Sequence, residues 1–282
     1  MGENGVQTLL TGRGLLESPR WHRDRLYVSD WSTGEVIALD LTGRSEVIAH
    51  VQSLPLCTAW LPDGRLLIVS SPDGRLLRRE PGGALVTHAE LGRPAWNDIV
   101  VDGRGNAYVN RAGFNPTAGD EFRPGSIHLA TPYGSVRHVA EDIAFPNGMA
   151  VTPDNSTLVV ADSYRHQLVA FTIAADGELS DRRVWADLGE GAPDGICLDA
   201  GGAVWYADVP NQWCARVAEG GTVLQTIELD RGGFACALGG VDRTTLFIVA
   251  AQWRGMTEPE PATPGTGQVL ATQVDVPGAG WP

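Results

Sequence analysis

The sequence predicts an all-β chain wound into a six-bladed β-propeller, and three observations carry that expectation. Short apolar runs rich in β-branched and aromatic residues are punctuated by turn residues, with 35 glycines and 18 prolines in 282 residues. The runs recur at a near-constant interval. No stretch carries a convincing helical period over four turns.

The runs are Arg25-Leu26-Tyr27-Val28, Leu66-Leu67-Ile68-Val69, Ala107-Tyr108-Val109, Leu158-Val159-Val160, Val204-Trp205-Tyr206 and Leu246-Phe247-Ile248. Asp63-Gly64, Asp73-Gly74, Asp102-Gly103 and Asp176-Gly177 stand between runs as turns. With Val28, Val69, Val109, Val160, Tyr206 and Ile248 taken as equivalent, the spacings are 41, 40, 51, 46 and 42, averaging 44. A period of roughly 40–50 residues holding four short strands is a propeller blade. The expected blades cover about 15–50, 53–91, 95–143, 144–188, 191–229 and 233–280, in one domain over 1–282. In the first blade 25–29, 34–40 and 45–50 read as adjacent strands. Residues 6–10 are expected to pair near 268–274 and close the ring, which removes exposed strand edges. A β-sandwich also has many short strands, but the regular period argues against it.

Composition narrows the function. The chain has 21 Lys+Arg against 34 Asp+Glu, a net charge of −13, which disfavours nucleic acid or an anionic membrane as the main partner. No apolar run approaches the ~20 residues of a membrane helix. Residues 1–5 show no basic start and no apolar segment, so the expectation is a cytoplasmic protein with reduced thiols at Cys57, Cys197, Cys214 and Cys236. These cysteines contain no C-x-x-C pair, and their wide spacing does not suit zinc. The sequence has no G-x-S-x-G elbow and no H-E-x-x-H. Its G-x-G triplets lack the third glycine and following helix of a nucleotide site.

The informative pattern lies about a dozen residues before each anchor. Glu17, Cys57, Asn97, Asn147, Asp194 and Cys236 fall there, in segments such as Trp96-Asn97-Asp98, Pro146-Asn147-Gly148 and Pro193-Asp194-Gly195. Propeller symmetry would place them at one height around the central channel. Taken singly, Asn-Gly and Asp-Gly read as turns. Taken in register, Glu17, Asn97, Asn147 and Asp194 offer two anionic and two neutral oxygen donors, a set that suits a hard divalent cation. Two carboxylates held close repel, and a cation relieves that repulsion.

Glu17-Ser18-Pro19-Arg20-Trp21, Phe145-Pro146-Asn147-Gly148-Met149-Ala150 and Pro193-Asp194-Gly195-Ile196-Cys197-Leu198-Asp199 resemble the gluconolactonase family, also called the regucalcin or senescence-marker-protein family, over essentially 14–255. The resemblance implies a six-bladed propeller with one divalent metal in the channel. It implies Glu17, Asn147 and Asp194 as metal ligands, Asp194 as catalytic acid/base, and Asn97 as a contact to substrate or metal-bound water. Sugar-lactone members carry an arginine two residues before the Asn97 position, where this chain has Ala95. The expected activity is metal-dependent opening of a lactone, sugar or other small lactone, with a small-molecule lactone or ester as substrate. Calcium is the first expectation from an all-oxygen set, with zinc, magnesium, manganese and iron(II) open.

Two loops interrupt the repeat. The loop over 111–125 accounts for the 51-residue spacing and is expected to lean over the channel mouth. It offers Phe114, Asn115 and Phe122 as substrate contacts and Arg111 for an anionic group, with a plain surface role open for Arg111. A second loop over 252–267, with Trp253, is expected near the same mouth or disordered. Trp60, Trp96, Trp185, Trp205 and Trp213 are expected between blades, with Trp96 a candidate pocket wall. Ala95 and the longer loop keep open a metal-dependent propeller enzyme of natural-product metabolism or phosphotriesterase type. A non-catalytic metal- or ligand-binding propeller is the remaining alternative.

Overall fold

The computed structural model describes residues 5–115, 118–255 and 262–279. They form six four-stranded antiparallel sheets arranged as a β-propeller, with no α-helix among the described residues. After β1 (Gln7–Arg13), blade one comprises β2 (Leu16–His22), β3 (Arg25–Asp30), β4 (Glu35–Leu39) and β5 (Ser45–His50). Blade two holds β6 (Thr58–Trp60), β7 (Leu66–Ser70), β8 (Arg75–Arg79) and β9 (Leu85–Glu90). Blade three holds β10 (Trp96–Val101), β11 (Ala107–Arg111), β12 (Gly125–Ala130) and β13 (Val136–Ile143). Blade four holds β14 (Pro146–Val151), β15 (Thr157–Asp162), β16 (Gln167–Ile173) and β17 (Leu179–Asp187). Blade five holds β18 (Pro193–Leu198), β19 (Val204–Asp208), β20 (Trp213–Val217) and β21 (Val223–Glu228). Blade six holds β22 (Gly232–Gly239), β23 (Thr245–Ala251), β24 (Gly267–Gln273) and, as its outer strand, β1.

Burial explains this order. Every residue of β7, β19 and β23 is buried, because a second strand has a neighbouring blade on each face. The outer strand β21 is mostly exposed. Six apolar clusters lie one at each blade interface. Leu16, Val28, Phe234 and Phe247 join blades one and six, while Ile127, Met149, Val160 and Phe171 join three and four. The turns are held by aspartates. Asp102 Oδ1 accepts from the Arg104 and Asn106 amides, each at 2.9 Å, and Asp199 Oδ1 accepts from Gly201 at 2.8 Å and Ala203 at 3.1 Å.

The ring closes between the two ends of the chain. Gln7 pairs with Ala271 and Thr8 with Leu270, so the outer edge of β24 is covered. No helix among the described residues is long and apolar enough to cross a membrane.

Candidate metal centre and channel mouth

Glu17, Asn97, Asn147 and Asp194 are each the second residue of an innermost strand, β2, β10, β14 and β18. Each of those strands breaks register at that point. The pairing slips between Glu17 and Arg20, Trp96 and Ile99, Pro146 and Met149, and Pro193 and Ile196. A bulge re-aims a side chain that regular pleating would send elsewhere. The Asn-Gly and Asp-Gly pairs are therefore strand residues and not turns. Their glycines answer to crowding near the axis. A Cβ on Gly148 would lie 2.5 Å from the Ile196 amide nitrogen, and one on Gly195 would lie 2.2 Å from Ala235 Cβ.

Asn97, Asn147 and Asp194 share one hydrogen-bond network, and Glu17 bears on it through its charge. Asn97 Nδ2 donates to Asn147 Oδ1 at 3.2 Å and to the Pro146 carbonyl at 3.4 Å. Asn147 Nδ2 donates to Ser163 Oγ at 3.4 Å, and the Asn147 amide also hydrogen-bonds Asp194. Ser163 Oγ donates to the Pro193 carbonyl at 2.6 Å, tying blade four to blade five. Glu17 accepts from the Ser18 amide at 3.1 Å. Glu17, Cys57, Asn97, Asp98 and Asn147 line an axial cavity of about 10 Å³, the size of one water or one ion.

Cys57 takes its expected place in that lining, but Cys236 does not, and Ala235 stands there instead. In blade six Cys236 pairs directly with Ile248, whereas in blade five Ile196 pairs with Tyr206. The longer connection between β22 and β23 makes a count of twelve back from Ile248 land two places further along the inner strand. Cys236 faces Cys197 at 3.7 Å, beside a lower axial cavity of about 70 Å³.

Burial sets the electrostatics. It pushes the Glu17 carboxyl up to about 8, aided by the charge of Asp98 and opposed by the Ser18 amide and Arg20. Asp194 is raised well above the carboxylate range by desolvation, then by Glu17, Asp98 and Asp208, against the Asn147 hydrogen bond. Asp98 is raised by burial and held back by Arg20. Two facing acids that resist ionisation are what a cation would stabilise. Among the described residues no three His, Cys, Asp or Glu side chains form a metal cluster, so a cation here needs amide oxygen as well. Glu17 and Asn147 line the ion-sized space and Asp194 adjoins them, hydrogen-bonded to the Asn147 amide and repelled by Glu17, so this mixture of carboxylate and amide oxygen fits a hard divalent ion.

The remaining expected contacts divide. Trp96 is 1% exposed and stands edge-on to His128 at 4.8 Å, inside the interface between blades two and three. Arg111 is half-buried and its Nε donates to the Pro94 carbonyl at 2.8 Å. Phe114 and Phe122 lie together at 5.4 Å, and Asn115 is exposed, its amide donating to Asp120 at 3.0 Å. Residues 116–117 of that loop, and 256–261 of the second, lie outside the described residues. The rest of the second loop folds back at the rim, with Trp253 bridged to Ala262 and packed on Phe234 at 5.5 Å.

The comparisons with known proteins bear on family and fold. Residues 15–252 match the SMP-30/Gluconolactonase/LRE-like region. The chain belongs to that family. It is 31% identical over 148 residues to a 6-deoxy-6-sulfogluconolactonase of Pseudomonas putida, 51% of this chain and 51% of the relative, so that match spans about half of the relative's length. It is 24% identical over 280 residues to a pentonolactonase of Haloferax volcanii, 95% of this chain and 93% of the relative. The crystal structure of a regucalcin from Agrobacterium tumefaciens, described as a calcium-binding protein, superimposes with a TM-score of 0.79 at 25% identity, covering 96% of this chain and 94% of that one.

This member of the SMP-30/gluconolactonase family also uses residues that a reading upstream of the anchors missed. Asp30, Asp162 and Asp208 fall two residues after Val28, Val160 and Tyr206, a shared phase visible in the sequence. Each caps the chain entering an inner strand, accepting from the Gly14 amide at 3.3 Å, the Phe145 amide at 3.0 Å and the Ala192 amide at 2.8 Å. Asn110 does related work, receiving the Asp98 amide at 3.1 Å and donating to the Asn147 carbonyl at 2.5 Å. Ser163 had no signal, because it lies in the connection after β15.

Proposed function

We propose that this protein is a divalent-metal-dependent hydrolase that opens a lactone. The observation that supports the reading is an ion-sized axial space lined by Glu17 and Asn147, with Asp194 hydrogen-bonded to Asn147 and close enough to Glu17 to feel its charge, in a chain whose family includes relatives named as lactonases. Glu17, Asn147 and Asp194 would hold the cation. Calcium is the first assignment, from the oxygen-only donor set and from a relative described as calcium-binding. A divalent ion bound there polarises an ester carbonyl and makes a nearby water more acidic.

The chain's own groups do the rest. Asn97 sits beside Asn147 with an amide that can orient the lactone. Asp194 takes a proton from the attacking water as the water oxygen bonds to the acyl carbon. The acyl carbon–ring oxygen bond then breaks, and Asp194 returns the proton to the leaving alkoxide. The product is a hydroxy acid that releases one proton to solution near neutral pH. Burial, then Glu17, Asp98 and Asp208, favour the protonated form of Asp194, which suits its return of the proton to the alkoxide.

The test is a pH-stat assay of the calcium-loaded protein across five- and six-membered lactones. Chelation, or Asp194→Ala with an unchanged circular dichroism spectrum, is expected to abolish acid release. Full turnover after either treatment would refute the proposal. A second reading has support in Ala95 and the loop between β11 and β12: the same centre acting on a different ester or phosphoester. Bound metal with no hydrolysis of any lactone would favour it.

A further inference from the structure

Beside the candidate centre, four aromatic rings form a wall at the rim where the innermost strands begin. Phe114 and Phe122 come from the loop between β11 and β12, Phe145 immediately precedes β14, and Tyr164 follows β15. Phe114 stands at the middle, 5.4 Å from Phe122, 5.9 Å from Phe145 and 5.8 Å from Tyr164, all edge to face. Phe145 and Tyr164 are stacked at 4.9 Å. The wall is tied to the centre through its own backbone. Phe145 lies two residues before Asn147, and Ser163, which precedes Tyr164, receives the Asn147 amide.

The wall is exposed and held in place. Phe122 is 55% exposed and Tyr164 46%. The other well-exposed aromatic among the described residues, Tyr133, sits in the turn after β12 at the opposite end of the blade. Large apolar surface left open beside a polar site marks a contact with something apolar. Among the described residues of the loop, Asn115 and Asp120 are joined by bonds of 3.0 and 3.3 Å, and Arg111 Nε fixes the base on the Pro94 carbonyl at 2.8 Å. At Gly113 a Cβ would lie 2.2 Å from the Pro124 carbonyl, so the two stems of the loop touch.

We propose that this wall is a specificity subsite for a lactone carrying an aromatic or bulky apolar substituent, seated on Phe114, Phe122, Phe145 and Tyr164. The assignment rests on the lactonase reading of the centre and adds its substrate class. A polyhydroxylated sugar lactone needs several hydrogen-bond partners, and the wall offers one hydroxyl, on Tyr164, amid ring carbon. A phenyl substituent buries its faces there without stranding polar groups.

The test uses the calcium-loaded full chain with γ-phenyl-γ-butyrolactone, γ-butyrolactone and glucono-δ-lactone. The phenyl lactone is expected to have the highest kcat/KM, by about tenfold or more over γ-butyrolactone. Phe122→Ala and Tyr164→Ala are expected to raise its KM by about tenfold each, with Tyr133→Ala as an unaffected control. A separate binding readout is saturation-transfer NMR with 4-hydroxy-4-phenylbutyrate, the ring-opened product. Transfer is expected to concentrate on the phenyl protons and to weaken in both variants. Hydrolysis that favours glucono-δ-lactone, or ignores the phenyl group, overturns the subsite and leaves the lactonase reading standing. Phenyl-centred binding lost in the variants, with no hydrolysis of any lactone, keeps the subsite and overturns the lactonase reading.

Discussion

The guanidinium of Arg20, on the inner strand of blade one, stands 3.2 Å from the carboxylate of Asp98, on the inner strand of blade three. The pair spans from blade one to blade three, and both residues line the axial cavity of the candidate centre. The same Arg20 nitrogen donates to the Ile99 carbonyl at 2.8 Å, and Asp98 also receives the Met149 amide at 3.1 Å. Three blades are thus pinned together by two side chains that are 13% and 9% exposed.

Breaking that pin should be costly. Arg20→Met leaves Asp98 buried and unpaired, with an expected loss of about 3–5 kcal/mol. Thermal unfolding should shift down by roughly 10 °C. Adding Asp98→Asn to Arg20→Met removes the stranded charge and should recover part of the loss. A Tm for Arg20→Met within a degree of the parent would show that the pair contributes nothing.

Asp194→Asn should separate stability from function. In the cation-free protein burial, and then the Glu17 charge, raise the cost of ionising Asp194. The neutral amide relieves that conflict, so the variant should gain about 1 kcal/mol of stability while losing turnover. Calorimetry of the chelated proteins, alongside the lactone assay, measures both quantities. A destabilised variant would mean that Asp194 is better paired than its surroundings suggest.

The pH dependence follows from Glu17. Its carboxyl titrates near 8 in the folded, cation-free protein against an ordinary value of 4.5. Between those values the folded state holds a proton that the unfolded state has lost. Glu17's contribution to the stability of the chelated protein should therefore be full below pH 4.5, fall as pH rises toward 8 and level off above it, a difference read against Glu17→Gln. The total fall is on the order of a few kcal/mol. Cation binding needs the ionised forms of Glu17 and Asp194, so apparent calcium affinity should rise at least about tenfold per pH unit up to pH 8, with proton release. Titration calorimetry in buffers of different ionisation enthalpy counts the protons. A pH-independent affinity from 6 to 8 contradicts the assignment of Glu17 as a ligand.

Ring closure gives a fourth expectation. Deleting residues 1–13 removes β1 and bares the edge of β24. The truncated chain should melt roughly 10 °C lower and aggregate on concentration, because an open edge recruits strands from other molecules. Light scattering that shows a stable monomer would argue that the ring holds without β1.

Much of the candidate site was legible as a repeat phase. Glu17, Asn97, Asn147 and Asp194 were found by counting back from six anchors, without knowledge of any contact. The same counting failed at Cys236, where a longer hairpin moved the register and put Ala235 in the lining. It also missed Arg20 and Asp98, although both stand in the segments that drew attention. Nothing in a one-dimensional pattern says that residues 78 positions apart will face each other across an axis.

By itself the sequence determined the architecture. Apolar runs of strand length at an average interval of 44 residues can bury both faces only by standing against copies of themselves, and six such units close a ring. Tertiary structure alone decided where the polar groups point. The bulges in β2, β10, β14 and β18 turn four side chains inward, and the rim connections bring Phe114, Phe122, Phe145 and Tyr164 together from two blades. Local propensity sets which residues extend and which turn, whereas a bulge or a ring-to-ring contact is chosen by crowding at the axis and the rim, which exists only once the blades have assembled.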